Sequence, residues 1–221
     1  MVRGNPHRGG LVNDTERLLD AGLVPILRLQ DAQVALAAGE AMARAGLRAV
    51  EVTAGVPGAA EIIAKLTASL DGSQVLLGAG TVLSPEQAEE FVQAGARFLV
   101  SPVLDRAVMD AAVRLGVPHV PSGFTATEIY TAHRAGAPVV KLFPSAPVGP
   151  TYLSALLGPF PQLKVIPTGG LDADSAVAFI RAGAVAVGVG GKLCPHRMDE
   201  VDEAAVAAAD LLRRVDAERS R

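Results

Sequence analysis

The stretch RAGAPVVKLF, residues 134–143, joins the end of a helix to an apolar strand, and the same plan recurs along the chain. Each copy has a polar residue, a small or apolar residue, a glycine, a short link and an apolar run. The other copies are RAGLRAVEVT (44–53), QAGARFLVSP (93–102), RLGVPHVPSG (114–123) and RAGAVAVGVG (181–190). Glycine just past a helix end supplies the left-handed residue that terminates the helix. The repeat therefore predicts alternating helices and strands.

Between these strands, apolar residues spaced three and four apart are typical of amphipathic helices. Ser84 before Pro85, and Thr125 with Glu128, predict two helix starts. The predicted strands are LVPILRL, AVEVT, VLLGAGT, FLVSP, HVPSG, VVKLF, KVIPTGG and AVGVGG. Their continuous apolar runs are typical of parallel strands covered by helices. Eight such units predict an α/β fold, a (β/α)8 TIM barrel with a short N-terminal helix at 15–21. The alternative, an open doubly wound sheet, is disfavoured because no GxGxxG follows the first strand.

Composition narrows the class of protein. Half of the 221 residues are apolar, enough for a single domain over 1–221, with 1–13 expected to be a disordered or tag-like N-terminus. The net charge of −3 is mixed along the chain, so we expect no nucleic-acid or membrane partner. Cys194 is the only cysteine. Because no signal peptide or membrane-spanning stretch is found either, the chain is expected to be cytoplasmic.

Lys141 is a charged residue inside the apolar run VVKLF, in a chain with four lysines and sixteen arginines. Burial disfavours the ammonium form, and an amine with a lowered pKa can form a Schiff base with a carbonyl. Glu51 is the other ionisable residue set within an apolar strand, and a carboxyl group there can move protons. We expect both side chains to point into the barrel. On the residues alone, a structural ion pair is an equal alternative.

Glycines and polar residues gather at the predicted carboxyl ends of the strands, where chemistry collects in this fold. The pairs Gly169–Gly170 and Gly190–Gly191 end the last two strands, where backbone N–H groups often bind phosphate. Tight turns are the alternative reason for these glycines. Arg28 ends the first strand and is either an anion-binding fork or a surface residue. No metal or other cofactor is predicted, because no metal-ligand spacing links the histidines His7, His119, His133 and His196.

Six segments in order, VEVT, GAGTV, VSP, VKLFPS, PTGG and VGVGG, resemble the 2-keto-3-deoxy-6-phosphogluconate and 4-hydroxy-2-oxoglutarate aldolases over roughly residues 15–205. The resemblance implies a metal-free class I aldolase on a (β/α)8 barrel, usually a homotrimer, acting on pyruvate and a keto-acid sugar phosphate. It implies Lys141 as the Schiff-base lysine and Glu51 as the general acid/base. It also implies substrate contacts from Thr81, Pro102, Phe143 and Thr168, and phosphate contacts from Gly169, Gly170, Gly190 and Gly191.

The chain departs from the gluconate branch of that family at three places. EVTAGV has Gly55 where those enzymes usually carry an arginine that grips the substrate carboxylate. Lys192 follows the last glycine pair, where serine is common. The segments ILRL and FPSAPVGPTYLSAL resemble the 6-phosphogalactonate branch instead. Arg28 and Lys192 are thus the candidates to replace the missing arginine, and the epimer of the substrate stays open.

The sequence leaves several activities to be separated. The first is cleavage of 2-keto-3-deoxy-6-phospho-gluconate or -galactonate to pyruvate and glyceraldehyde 3-phosphate. The second is cleavage of 4-hydroxy-2-oxoglutarate to pyruvate and glyoxylate. A non-covalent sugar-phosphate isomerase or synthase using Glu51 as base is the third, and a barrel that only binds a sugar phosphate is the fourth.

Overall fold

The computed structural model describes residues 7–221, with side chains from Asp14 onward except that of Lys192. The helices are α1 (His7–Asp20), α2 (Ala32–Arg44), α3 (Ala59–Ser69), α4 (Pro85–Gln93), α5 (Arg106–Leu115), α6 (Ala126–Arg134), α7 (Gly149–Leu157), α8 (Ala173–Arg181) and α9 (Val201–Arg219). The strands are β1 (Leu23–Leu27), β2 (Ala49–Thr53), β3 (Leu76–Gly80), β4 (Phe98–Val100), β5 (His119–Val120), β6 (Ser122–Gly123), β7 (Val140–Leu142), β8 (Val165–Pro167) and β9 (Val187–Val189).

The N-terminal helix is longer than the sequence predicts. The expected helix at 15–21 begins at His7 in the structure. Residues 1–6, part of the expected disordered N-terminus, lie outside the described residues. None of the helices described between His7 and Arg219 is long and apolar enough to cross a bilayer.

All strand pairs are parallel and lie in two sheets, so the predicted α/β class is confirmed. One sheet has the order β5-β4-β3-β2-β1-β9, and the other has the order β6-β7-β8. The predicted strand HVPSG is divided into β5 and β6 at Pro121. Proline has no N–H to give to the ladder, although the Pro121 carbonyl accepts a hydrogen bond from the backbone N–H of Lys141 at 2.9 Å.

Helix starts follow the predicted capping motifs. The side chain of Ser84 accepts a hydrogen bond from the N–H of Gln87 at the start of α4. At the start of α6, Thr125 and Glu128 form the predicted capping box. These caps satisfy N–H groups that have no partner inside the helix and so fix where the helix begins.

Alternate strand residues face two separate apolar clusters. The larger cluster joins the strands to the helices and includes the chain neighbours of the two predicted catalytic residues, namely Val50, Val52, Val140 and Leu142. The smaller one contains Ala49, Val139 and Leu18 of α1. Because strand side chains alternate between faces, Glu51 and Lys141 lie on the face of this smaller cluster, away from the helices.

Helix α1 is anchored to the strands by a buried carboxylate. Asp14 is 1% exposed and pairs with the guanidinium of Arg97, which directly precedes β4, at 2.7 Å. Arg17 adds a second contact at 3.1 Å. Leu18, one turn further along the helix, packs into the smaller apolar cluster. Because Arg97 stands at the amino-terminal end of β4, the helix packs against the amino-terminal side of this cluster.

Candidate active site

Lys141 and Glu51 come from the two different sheets and line one cavity between them. Lys141 is the middle residue of β7 and Glu51 the middle residue of β2. Their exposed fractions are 6% and 3%. Together with Thr168 they line a small internal cavity of about 10 Å³. The structure thus brings the two predicted catalytic side chains together in a nearly closed space.

Burial and neighbouring charges shift both groups. Burial lowers the pKa of Lys141, the charge of Glu51 acts against this, and the charge of Arg28 adds to it. Burial raises the pKa of Glu51, while Lys141 and Arg28 pull it down. The amine therefore gives up its proton more readily than a free lysine, and the carboxyl group holds its proton more tightly than a free glutamate. Such a pair suits imine formation with proton transfer at the same site.

A larger cavity of about 190 Å³ lies at the carboxyl ends of the strands. Lys141 and Thr168 border this cavity as well as the smaller one. Its other walls come from both predicted phosphate loops and from the end of β1, with lining residues that include Arg28, Phe143, Gly169, Gly170, Gly190 and Gly191. A carbonyl compound in this space would reach the lysine, and an anionic group on it would reach Arg28 and the glycine loops.

Phe143 and the first glycine pair shape one wall. The ammonium nitrogen of Lys141 lies 4.9 Å from the centre of the Phe143 ring. Gly169 has φ +93°, and a Cβ atom there would stand 2.9 Å from the same ring. Gly170 has φ +73°, and a Cβ atom there would stand 2.7 Å from Cβ of Ala146. The turn alone requires glycine at both positions, so their residue type does not by itself indicate phosphate.

Ser145 ties Thr168 to the lysine strand, and sequence reasoning assigned it no role. Its side chain is fully buried and donates to the carbonyl of Leu142 at 2.7 Å. It accepts from the N–H of Thr168, also at 2.7 Å. A serine three residues after the end of the strand, within VKLFPS, was the available signal, but its partner lies 23 residues away in the chain.

Thr81 and Pro102 lie at the carboxyl ends of β3 and β4, away from the larger cavity. Thr81 is half-buried with φ +61°, and Pro102 is half-buried after Ser101. Neither borders the 190 Å³ cavity. They stand on the side of the site where β3 pairs with β2, the strand of Glu51.

Of the two candidates to replace the missing arginine, the structure describes the side chain of Arg28 but not that of Lys192. Arg28 borders the larger cavity with its side chain exposed, and its backbone N–H donates to Sγ of Cys194 at 3.2 Å. The backbone of Lys192 lies in the short 3-10 helix Gly191–Leu193, but its side chain lies outside the described residues. Gly55 is exposed after β2 and is not part of the cavity wall.

Within the described part of the chain, no group of three His, Cys, Asp or Glu side chains is placed to hold a metal ion.

Parallel strands with helices between them carry a buried lysine beside a buried glutamate, next to a cavity at the carboxyl ends of the strands. These features define a Schiff-base lyase type of site. Comparison with known families agrees: the model for KDPG and KHG aldolase matches residues 15–209. The chain therefore belongs to the KDPG and KHG aldolase family, whose members are lyases, and the resemblance found in its six segments is confirmed.

Individual relatives include both branches of the family. The chain is 37% identical over 166 residues to a 2-dehydro-3-deoxy-phosphogluconate aldolase of Treponema pallidum (strain Nichols), covering 75% of this chain and 78% of the relative. It is 36% identical over 172 residues to a 2-dehydro-3-deoxy-6-phosphogalactonate aldolase of Escherichia coli (strain K12), covering 77% and 83%. Near-equal identity to the two does not select an epimer.

A solved structure of similar fold carries a covalent intermediate. It is the KDPG aldolase from Legionella pneumophila, with pyruvate captured as a carbinolamine. This chain matches it with a TM-score of 0.79 and 27% identity, over 91% of this chain and 97% of the other.

Proposed function

We propose that this protein is a class I aldolase that cleaves 2-keto-3-deoxy-6-phosphogluconate or its galactonate epimer to pyruvate and glyceraldehyde 3-phosphate, and runs in reverse. The observation that carries the proposal is the pair Lys141 and Glu51, both almost fully buried and lining one cavity. A structural ion pair would also be buried, but it would not need the 190 Å³ space that opens beside the lysine. Family membership supports the same chemistry.

We further propose that the strands close into one (β/α)8 barrel spanning a single domain. In support, β5 and β6 are two halves of one strand separated only by Pro121. On the other side, Thr168 bridges to Gly188, and the N–H of Val185 donates to the carbonyl of Val165 at 3.1 Å. These contacts link β8 to β9, and β9 pairs with β1.

The covalent step begins at Lys141. Its neutral amine attacks the C2 carbonyl carbon of the substrate and forms a carbinolamine. Glu51, in its protonated form, gives a proton to the departing hydroxyl group, and water leaves as the protonated imine forms. The lowered pKa of Lys141 favours this step because a larger fraction of the amine is neutral.

Bond cleavage uses the same carboxyl group, now ionised. Glu51 takes the proton of the C4 hydroxyl group, directly or through a water molecule, and the C3–C4 bond breaks. Its electron pair moves into the imine and leaves an enamine on Lys141, while C4 departs as the aldehyde. Protonation of the enamine at C3 and hydrolysis of the imine release pyruvate and restore the lysine.

The remaining roles rest on position for the residues that border the larger cavity, and on the sequence and the family resemblance for Thr81, Pro102 and Lys192. Arg28 binds an anionic group of the substrate, since it carries a guanidinium group and belongs to the wall of the larger cavity. Thr81, Pro102, Phe143 and Thr168 contact the keto-acid part, and Thr81 and Pro102 do so from the Glu51 side. The phosphate end is held by backbone N–H groups of Gly169, Gly170, Gly190 and Gly191, with Lys192 as an additional cation.

Pyruvate release from each C4 epimer, followed with a coupled dehydrogenase assay, tests the proposal. We expect turnover of at least one epimer, its loss in Lys141→Arg, and its retention in the control Lys164→Arg, which changes an exposed lysine before β8. Turnover of 4-hydroxy-2-oxoglutarate alone would assign the other aldolase activity. Turnover that survives Lys141→Arg would instead favour a non-covalent isomerase or synthase, and a phosphate compound bound without turnover would favour a binding protein.

We also propose a cytoplasmic homotrimer. The trimer rests on the family resemblance and on exposed apolar side chains that a partner copy would cover, among them Leu83, Val103 and Phe124. All three follow strands at the carboxyl-end side of the fold. Sedimentation of the purified protein is expected to give a trimer, and a monomer would remove the claim without affecting the chemistry. The cytoplasmic location rests on the single cysteine, Cys194, which cannot form a disulfide within the chain.

A further inference from the structure

His119 is a buried titratable residue that the proposed mechanism does not use. It lies in β5 and is 4% exposed. Its Nε2 atom is 2.8 Å from Oγ of Ser101. The Ser101 hydroxyl is 2.7 Å from the carbonyl of Val82, to which it donates. A chain of two hydrogen bonds therefore runs from β5, across the end of β4, to the loop after β3.

The direction of these hydrogen bonds fixes the histidine tautomer. The Ser101 hydroxyl has one proton, which is used in the hydrogen bond to the carbonyl oxygen of Val82. The Nε2–H group of His119 must therefore be the donor to Oγ of Ser101. The other ring nitrogen, Nδ1, is then a bare acceptor, and it is buried without a hydrogen-bond partner among the described residues. Burial lowers the pKa of His119 to about 4, and the charge of Asp105 acts in the opposite direction. The imidazole is thus neutral, with one donor in use.

This chain of hydrogen bonds ends beside two residues that the proposed function places against the keto acid. Val82 directly follows Thr81, whose backbone holds φ +61°, a conformation that is uncommon for residues other than glycine. Ser101 directly precedes Pro102. The hydroxyl of Ser122, which pairs in register with Lys141, donates to the carbonyl of Ser101. One connected set of groups therefore spans from the lysine strand to the loop of Thr81.

We propose that His119 is a positioning residue: its Nε2–H group, acting through Ser101, holds Thr81 and Pro102 in the geometry that binds the pyruvate part of the substrate. The proposal rests on the proposed function. His119 itself borders neither the lysine–glutamate cavity nor the larger cavity, so it acts only through these partners.

Because Nδ1 has no hydrogen-bond partner among the described residues, the effect of a substitution at His119 on stability can be told apart from its effect on pyruvate binding. A buried acceptor without a partner costs stability, and an apolar side chain of similar size would remove that cost. His119→Leu is therefore expected to unfold at the same or a higher temperature than the unaltered protein. If His119 only filled space, pyruvate binding would be unchanged as well.

The test measures the dissociation constant for pyruvate from the saturation of borohydride trapping at Lys141. For His119→Leu we expect this constant to rise about five- to tenfold, the loss of roughly one hydrogen bond, with little change in the maximal trapping rate. His119→Gln, whose amide N–H₂ can replace Nε2–H as donor to Ser101, is expected to bind pyruvate nearly as the unaltered protein does. Ser101→Ala removes the same hydrogen-bonded link by deleting only a hydroxyl group, and it is expected to raise the dissociation constant in the same way. It replaces His119→Leu in the test if that variant does not fold.

Leu99→Val is the matched control, because Leu99 is fully buried and pairs in register with His119 on the neighbouring strand. It is expected to lower the unfolding temperature and leave the pyruvate constant unchanged. Unaltered binding in His119→Leu or Ser101→Ala, or an equal defect in His119→Gln and His119→Leu, would overturn the positioning role. A failure of the unaltered protein to form any adduct at Lys141 would instead overturn the proposed function.

Discussion

The carboxylate of Glu51 occupies the space where a side chain at Gly80 would lie. A Cβ atom at Gly80 would overlap Oε1 of Glu51. The two residues are on β2 and β3, whose register pairs Glu51 with Gly78. The other inward glycine, Gly78, leaves room for the ring of Phe98 in the same way. The two glycines of LLGAG thus leave room on the inner face of β3 for a carboxylate and an aromatic ring from the two neighbouring strands.

Replacing Gly80 by alanine is therefore expected to displace Glu51 and reduce turnover. Losing a positioned acid/base group lowers kcat by about 100-fold or more, and this is the size of effect we expect in a steady-state assay of Gly80→Ala. The control is Gly158→Ala, since Gly158 is exposed and the nearest atom to its added Cβ is 3.5 Å away. Turnover of Gly80→Ala equal to that of the control would contradict this role for the glycine.

The amine of Lys141 is expected to become reactive at lower pH than a free lysine. Burial lowers its pKa from the usual 10.5, so the neutral, acylable fraction should rise with pH and reach half at a pH below 10.5. Trace acetylation with acetic anhydride, quantified at Lys141 by mass spectrometry against free Nα-acetyl-lysine, measures this midpoint. A midpoint at or above that of the free amino acid would contradict the lowered pKa.

Two substitutions should move that midpoint in opposite directions. Arg28 lowers the pKa of Lys141, so Arg28→Met is expected to shift the acetylation midpoint to higher pH. Ionised Glu51 raises the pKa of Lys141, so Glu51→Gln is expected to shift it to lower pH. Shifts of the same sign in the two variants would show that these side chains do not act on the amine through their charges.

The buried carboxylate of Asp14 is expected to stabilise the fold rather than the reaction. Asp14→Asn removes the charge that pairs with Arg97 and Arg17, and we expect the free energy of unfolding in urea to fall by about 1–3 kcal/mol with kcat unchanged. Asp210→Asn is the control, because Asp210 forms an exposed pair with Arg213 and should change stability by only about 0–0.5 kcal/mol. An equal, small effect of both substitutions would mean that α1 is held by its apolar contacts alone.

The sequence predicted what depends on local pattern. Glycine after each helix and apolar runs between helices indicated parallel α/β units. Alternation along a strand placed Lys141 and Glu51 on the inner face, because Val140 and Val52 face the helices. The same reasoning did not place Pro121 as a break between two strand segments, since a proline is compatible with the start of a strand or an edge.

Contacts between residues far apart in the chain were beyond such reasoning. No pattern in the neighbouring sequence indicates that Gly80 leaves space for the carboxylate of Glu51, or that Ser145 accepts a hydrogen bond from Thr168. His119 was considered only as a metal ligand, and its link to Ser101 depends on the register of β4 and β5. Thr81 and Pro102 border neither the larger cavity nor the smaller one, because β3 and β4 lie on the Glu51 side, and their contact with the substrate stays a prediction.

Reduction with borohydride in the presence of pyruvate, followed by peptide mass spectrometry, tests the Schiff-base lysine most directly. The proposed function predicts one reduced pyruvyl adduct, on Lys141, that is absent without pyruvate and absent in Lys141→Arg. Lys65 and Lys164 serve as exposed lysines within the same sample and should stay unmodified. No adduct on Lys141, or an adduct elsewhere that persists in Lys141→Arg, would contradict the proposed chemistry.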